Sequence, residues 1–86
     1  MKYYFKYANR EREMIPMPEL YRMMNDNDVE YFPSMLAFYR RVLLRKSCAL
    51  NTKSSDNDIL TVSRIARRVS KLEMFLDIIA RENQAA

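Results

Sequence analysis

The chain has 86 residues, of which 49% are hydrophobic and 30% are charged, and its net charge is +4. This size suits one domain, and the apolar fraction argues against intrinsic disorder. There is no His and no Gly, which removes the commonest general base and metal ligand and excludes glycine-rich phosphate loops.

Residues 1–15 predict a β-hairpin. In "KYYFKYA" the side chains of Tyr3, Phe5 and Tyr7 share one face, which is the period and composition of a strand. A return strand would place Glu13 opposite a lysine and Met14 opposite Phe5. The alternative is an N-terminal helix over 3–14. This aromatic and acidic terminus is unlike a secretory or mitochondrial leader, so we expect a protein of the cytoplasm or of a host-cell interior.

A short helix is predicted over 18–25, after two prolines that restrict the residues before them. Pro18 suits its first turn, and "NDND" is expected to end it. This region is rich in methionine, and Met-rich surfaces adapt to irregular partners. The candidate patch for a partner protein is Met14, Met17, Leu20, Tyr21 and Met24. The alternative is that these side chains fill gaps between the helices.

A core helix is predicted over 33–50, with Pro33 in its first turn. Its apolar positions form two adjoining stripes, which indicates a central helix with neighbours on two sides. The stripes consist of Phe32, Leu36, Tyr39, Leu43 and Leu50, and of Met35, Phe38, Val42 and Ala49. Cys48, the only cysteine, is expected to be a small buried apolar group.

A long helix is predicted over 56–82, opened by a capping box of Ser55 and Asp58. Apolar residues then recur at alternating spacings of three and four, the pattern of a coiled-coil seam. We expect Ile59, Ala66 and Ala80 to widen the seam on one side. Part of the seam is expected to pack on helix 33–50 and part on a second copy of the chain. The predicted dimer seam is Val62, Ile65, Val69, Leu72, Leu76 and Ile79.

Positive charge is concentrated between residues 40 and 71, which contain nine cations and two acids. Such a basic region favours an anionic partner, and counterion release would make phosphate binding sensitive to salt. The alternative is a solvated helix face. A helix-turn-helix is excluded, because the seam has no tight turn within it. The anion-binding candidates are Arg40, Arg41, Arg45, Arg64, Arg67, Arg68 and Lys71.

One segment, "MLAFYRRVLLR" at 35–45, resembles the opening motif of the LYR family. Phe38, Tyr39 and Arg40 would match its Leu-Tyr-Arg core. That resemblance implies a small basic helical protein of mitochondria that binds acyl carrier protein. The later arginine is displaced to Arg45 and the motif begins far from the N-terminus, so we do not assign the chain to this family.

The sequence therefore predicts a mainly α fold of three helices, with the hairpin packed on them. The expected function is that of a small, basic, non-enzymatic interaction protein, such as an adaptor, regulator or inhibitor. It would bind a partner protein, which could be acidic, as a homodimer. A viral or phage origin is a guess from size alone. The alternative is a nucleic-acid-binding protein that grips phosphates through two arginine clusters. No cofactor, metal site or membrane insertion is expected.

Overall fold

The computed structural model describes residues 14–85, which form three α-helices and no strand. Helix α1 spans Met17–Asn25, α2 spans Phe32–Ala49 and α3 spans Asp56–Ala85. This confirms the prediction of a mainly α fold. The hairpin predicted over 1–15 lies outside the described residues except for Met14 and Ile15, which have no regular secondary structure. Within the described chain, no helix is both long and apolar enough to cross a membrane.

Helix α1 is bounded by proline at its start and by a left-handed residue at its end. Pro16 is extended at the N-cap, with φ −61° and ψ 142°, and a second proline lies in the first turn. After Asn25, Asn27 has a φ of 58°. Its N–H donates to the Met24 carbonyl at 3.2 Å, and the N–H of Asp28 donates to the Met23 carbonyl at 2.8 Å. These two bonds form a Schellman cap, in which asparagine takes the position that glycine usually occupies.

Helices α2 and α3 form an antiparallel hairpin joined by residues 50–55. At one end, the Phe32 ring stacks on the Phe75 ring with centroids 5.8 Å apart. At the other end, the predicted capping box is confirmed. The N–H of Ser55 donates to Asp58 Oδ2 at 3.1 Å, and the N–H of Asp58 donates to Ser55 Oγ at 3.2 Å. Because both bonds are local, this start of α3 is set by four consecutive residues.

The core is one cluster that joins α1 to the hairpin. Its members are Ile15, Leu20, Met23, Phe32, Met35, Leu36, Tyr39, Val42, Ile65, Val69, Leu72 and Phe75. Helix α1 packs on the side of α3 that carries Phe75, as the edge-to-face contact of Tyr21 with that ring shows. The core face of α3 is therefore turned toward α1, away from Ile59 and Ala80. These two residues are exposed, so the prediction that they widen the seam is wrong.

Ile15, two residues before the start of α1, is fixed by side chains from both long helices. The N–H of Ile15 donates to Tyr39 Oη at 2.9 Å, and its carbonyl accepts a hydrogen bond from Arg68 Nε at 2.8 Å. The side chain of Ile15 is fully buried. Buried backbone groups need hydrogen-bond partners, and here the partners come from α2 and α3. This clamp fixes where the chain enters α1.

The prediction that Cys48 is buried is wrong, because its side chain is exposed. It lies nine residues after the buried Tyr39 on α2. At 3.6 residues per turn, nine residues make two and a half turns, which puts Cys48 on the opposite side of the helix.

Candidate functional site

The seven cations predicted to bind anions do not form one equivalent set. Arg68 is committed to the fold, since its Nε holds the Ile15 carbonyl and its Nη1 donates to the Arg64 carbonyl at 2.9 Å. Burial lowers the pKa of the Arg68 guanidinium. Attraction to Tyr39 raises this pKa, and repulsion from Arg64 and Arg67 lowers it further. The group stays charged near neutral pH, because the ordinary pKa of arginine is far higher. Sequence reasoning placed Arg68 among solvent-facing residues, whereas its guanidinium faces the protein.

Two other predicted cations have partners within the chain. Arg40 forms an ion pair with Glu73 at 3.6 Å, and both side chains are about half exposed. The Lys71 ammonium lies 5.0 Å from the centroid of the Tyr21 ring, a cation–π arrangement. Arg41, Arg45, Arg64 and Arg67 are exposed. Arg64 and Arg67 therefore carry exposed positive charge in the first half of α3, and the partly buried Lys71 lies one turn further along.

These cations share one outer face of α3 with two apolar residues. The set, named here the outer stripe, is Leu60, Arg64, Arg67, Lys71 and Met74. Its spacings alternate between four and three residues, which keeps the side chains on one side of a helix. Leu60 and Met74 are 46% and 44% exposed, so a large apolar side chain lies in solvent at each end of the three cations. These two apolar residues were absent from the predicted site, although their spacing is present in the sequence.

The five residues predicted as a partner patch do not make one exposed surface. Leu20 is fully buried, and Met14, Met17 and Met24 are partly buried against the core. Tyr21 is 44% exposed, although its ring also packs on Phe75. Most of this set therefore fills space between the helices.

The predicted dimer seam is largely occupied by the chain itself. Ile65, Val69 and Leu72 are buried in the core, while Leu76 and Ile79 pack against it and are partly buried. Val62 is also partly buried. A second copy would have to open the fold to reach the centre of the seam. The homodimer stays a prediction, and the seam offers it little surface.

A groove lies between α2 and α3 near the loop that joins them, and we name it the loop-end groove. It has a volume of about 620 Å³. Its walls come from the last turns of α2 and the first turns of α3, and Met14 reaches it from the segment before α1. The lining residues are Met14, Lys46, Ala49, Leu50, Ser54, Asn57, Asp58, Thr61, Val62 and Arg64. Lys46 was absent from the predicted site residues, and no sequence pattern identifies the groove.

Charge is separated along the molecule. The basic half is residues 40–71 and lies toward the loop end of the hairpin. The remaining described residues, 14–39 and 72–85, carry seven acids and two cations. Both cations are paired, Arg22 with Glu19 and Arg81 with Asp77. The long axis is 51 Å, and residues 14–85 have a basic loop end and an acidic opposite end.

Within residues 14–85, no group of three acidic or cysteine side chains could hold a metal ion. Comparison of the chain with protein-family models, curated proteins and solved structures finds no match. The resemblance of residues 35–45 to the LYR motif thus gains no support. A function for the chain therefore has to follow from its own geometry.

Proposed function

We propose that this chain is a small, non-enzymatic interaction protein that binds a partner protein through its basic half. The observation that carries the proposal is the outer stripe. Exposed apolar side chains in line with cations suit a protein surface that offers both apolar and acidic groups. The exposed apolar side chains of Leu60 and Met74 would contribute nothing to a surface that bound only phosphates.

Two further exposed residues support this assignment. Leu44 on α2 is 67% exposed and Ile59 on α3 is 50% exposed. Both lie in the basic half with Leu60, so three of its large apolar residues contact water. Single exposed apolar residues are ordinary, so Leu44 and Ile59 support the proposal only by lying in the same half of the chain as the cations of the outer stripe.

The test compares partner capture by the wild-type chain and by two charge-reversed variants. Arg64→Glu with Arg67→Glu reverses the centre of the outer stripe. Arg81→Glu is the matched control, because it reverses an exposed arginine on α3 at the acidic end. Each chain is immobilised and incubated with extract of the source cells, with and without nuclease treatment, and bound proteins are quantified by mass spectrometry.

We expect a discrete protein to be enriched by the wild type and by the control, and to fall about tenfold or more with the double variant. Circular dichroism establishes that all three chains are folded. Equal capture by the double variant, or enrichment that disappears with nuclease treatment, would contradict the proposal.

The second candidate is a nucleic-acid-binding protein, which the unbroken run of Arg64, Arg67 and Lys71 favours. No acid interrupts these three positions on the outer stripe. If each cation neutralises one phosphate of duplex DNA, the logarithm of the affinity falls against that of salt with a slope of about −3. Fluorescence anisotropy of labelled duplex DNA, single-stranded DNA and RNA over a salt series measures that slope. A steep slope, lost in the Arg64→Glu and Arg67→Glu variant, would put this candidate first.

A further inference from the structure

We infer that residues 14–25 form a strap that opens from the α2–α3 hairpin as one unit while the hairpin stays folded. The strap consists of α1 and the segment that leads into it. Its latch is the pair of hydrogen bonds on Ile15, one from the Ile15 N–H to Tyr39 Oη and one from Arg68 Nε to the Ile15 carbonyl. Such opening is a property of the fold itself and is independent of the partner binding proposed above.

The strap is held to the hairpin by a small set of side chains. Its buried residues are Ile15, Leu20 and Met23, and the Tyr21 ring contacts the Phe75 ring of α3 edge to face. These three buried residues belong to a core of twelve, and the other nine lie in α2 and α3. Most of the core is therefore contributed by the hairpin.

Helix α1 cannot persist once the strap leaves the hairpin. It has nine residues, and helices shorter than about 12 residues are marginal in water without tertiary contacts. Its C-terminal cap, formed by the N–H groups of Asn27 and Asp28, is lost with the helix. We therefore expect one cooperative opening that reaches from the latch at Ile15 to the cap.

The hairpin keeps contacts of its own when the strap opens. The Phe32 ring stacks on the Phe75 ring, and Arg40 forms an ion pair with Glu73 across the two helices. The capping box fixes the start of α3. None of these contacts involves the strap. Elements with few buried apolar contacts open at a lower free energy than the whole domain, which favours separate opening of the strap.

Opening changes the surface of the hairpin in two ways. It uncovers the Phe75 ring on the side of α3 that faces α1. It also frees Arg68 Nε from the Ile15 carbonyl, beside the exposed Arg64 and Arg67 of the same helix. The open chain therefore presents more apolar surface and one more available cation than the closed chain. A ligand that binds these groups would shift the population toward the open chain.

The experiment is amide hydrogen exchange of the full chain, followed residue by residue in ¹⁵N–¹H spectra at low urea concentrations. The Ile15 N–H reports the latch, the Leu20 N–H reports α1 and the Asp28 N–H reports its cap. The amides of Tyr39 and Leu72 report unfolding of the hairpin. We expect the three strap amides to share one opening constant, about tenfold or more above that of the two hairpin amides.

Two variants and a matched control separate the strap from the hairpin. Ser55→Ala weakens the capping box, which the open chain retains, so exchange of the hairpin amides should rise about fivefold while that of the strap amides stays unchanged. Arg68→Met removes one bond of the latch, so exchange of the strap amides should rise about tenfold or more. Arg67→Met at the adjacent exposed position is the control and should leave exchange of the strap amides unchanged.

Three results would overturn the inference. Equal opening constants for the strap and hairpin amides would mean that the domain unfolds as one unit. Different constants among the strap amides would mean that α1 frays residue by residue. Equal acceleration of both sets by Ser55→Ala would mean that the strap opens only with the hairpin. Unchanged strap exchange in Arg68→Met would remove Arg68 from the latch. The first three comparisons hold even if Arg68→Met fails to fold.

Discussion

Replacing Arg68 by methionine is expected to destabilise the protein far more than the same change at Arg67. Methionine keeps an apolar stem but removes the guanidinium that holds the Ile15 carbonyl at 2.8 Å. Hydrogen bonds with a charged partner contribute about 1.5–3 kcal/mol, and a buried carbonyl left without a donor costs about 1–3 kcal/mol. Because Arg68 is only partly buried, we expect the free energy of unfolding to fall by about 2 kcal/mol. In a domain of this size that corresponds to a Tm lower by roughly 8–16 °C.

Urea unfolding followed by circular dichroism measures this difference. Arg67→Met is the matched control, since it removes the same charge from the adjacent, exposed position. Its effect should stay within about 0.5 kcal/mol, as for ordinary surface substitutions. Tyr39→Phe removes the other half of the clamp, so its effect should be non-additive with that of Arg68→Met. Equal stabilities of the Arg68→Met and Arg67→Met chains would refute a structural role for the Arg68 guanidinium.

Three further predictions concern stability, each measured by urea unfolding. Leu72→Ala should lower the free energy of unfolding by about 2–5 kcal/mol because it opens a cavity in the core, whereas Val62→Ala at the partly buried end of the seam should lower it by about 1 kcal/mol or less. Similar losses at the two positions would contradict the placement of Leu72 in the core. Asn27→Ala should destabilise by about 1 kcal/mol because of its left-handed backbone, and Asn27→Gly should not; a stable alanine variant would argue against the Schellman cap. Ser55→Ala should lower the free energy of unfolding by about 1 kcal/mol through the lost cap. An unchanged midpoint of urea unfolding would show that the capping box contributes little to stability.

The positions of the helices could be predicted because their signals are local. Prolines precede or open α1 and α2, and Ser55 and Asp58 start α3 through bonds that span three residues. The apolar spacing of α3 correctly indicated Ile65, Val69 and Leu72 as inward-facing. Phe75 was missed, because a two-helix seam does not include the side of α3 on which α1 packs. That information lies in the docking of a distant segment rather than in the spacing.

The same limit explains the assignment of the arginines. Arg67 and Arg68 are adjacent and chemically identical, and both fall outside the seam. They differ in that Arg68 has a partner 53 positions earlier in the chain, and no local pattern marks Ile15 as that partner. The outer stripe, by contrast, was available from the spacing of Leu60, Arg64, Arg67, Lys71 and Met74. The loop-end groove could not be predicted from spacing, since it depends on how the segments of the chain pack against one another.

The separation of charge along the molecule determines what an approaching partner senses. At physiological ionic strength the Debye length is about 8 Å, much shorter than the 51 Å axis. The acidic end therefore does not cancel the field of the basic end, and the net charge of +4 understates the local potential. A negatively charged partner would be steered to the loop end before contact. Added salt should consequently slow association more than it shortens the lifetime of the complex.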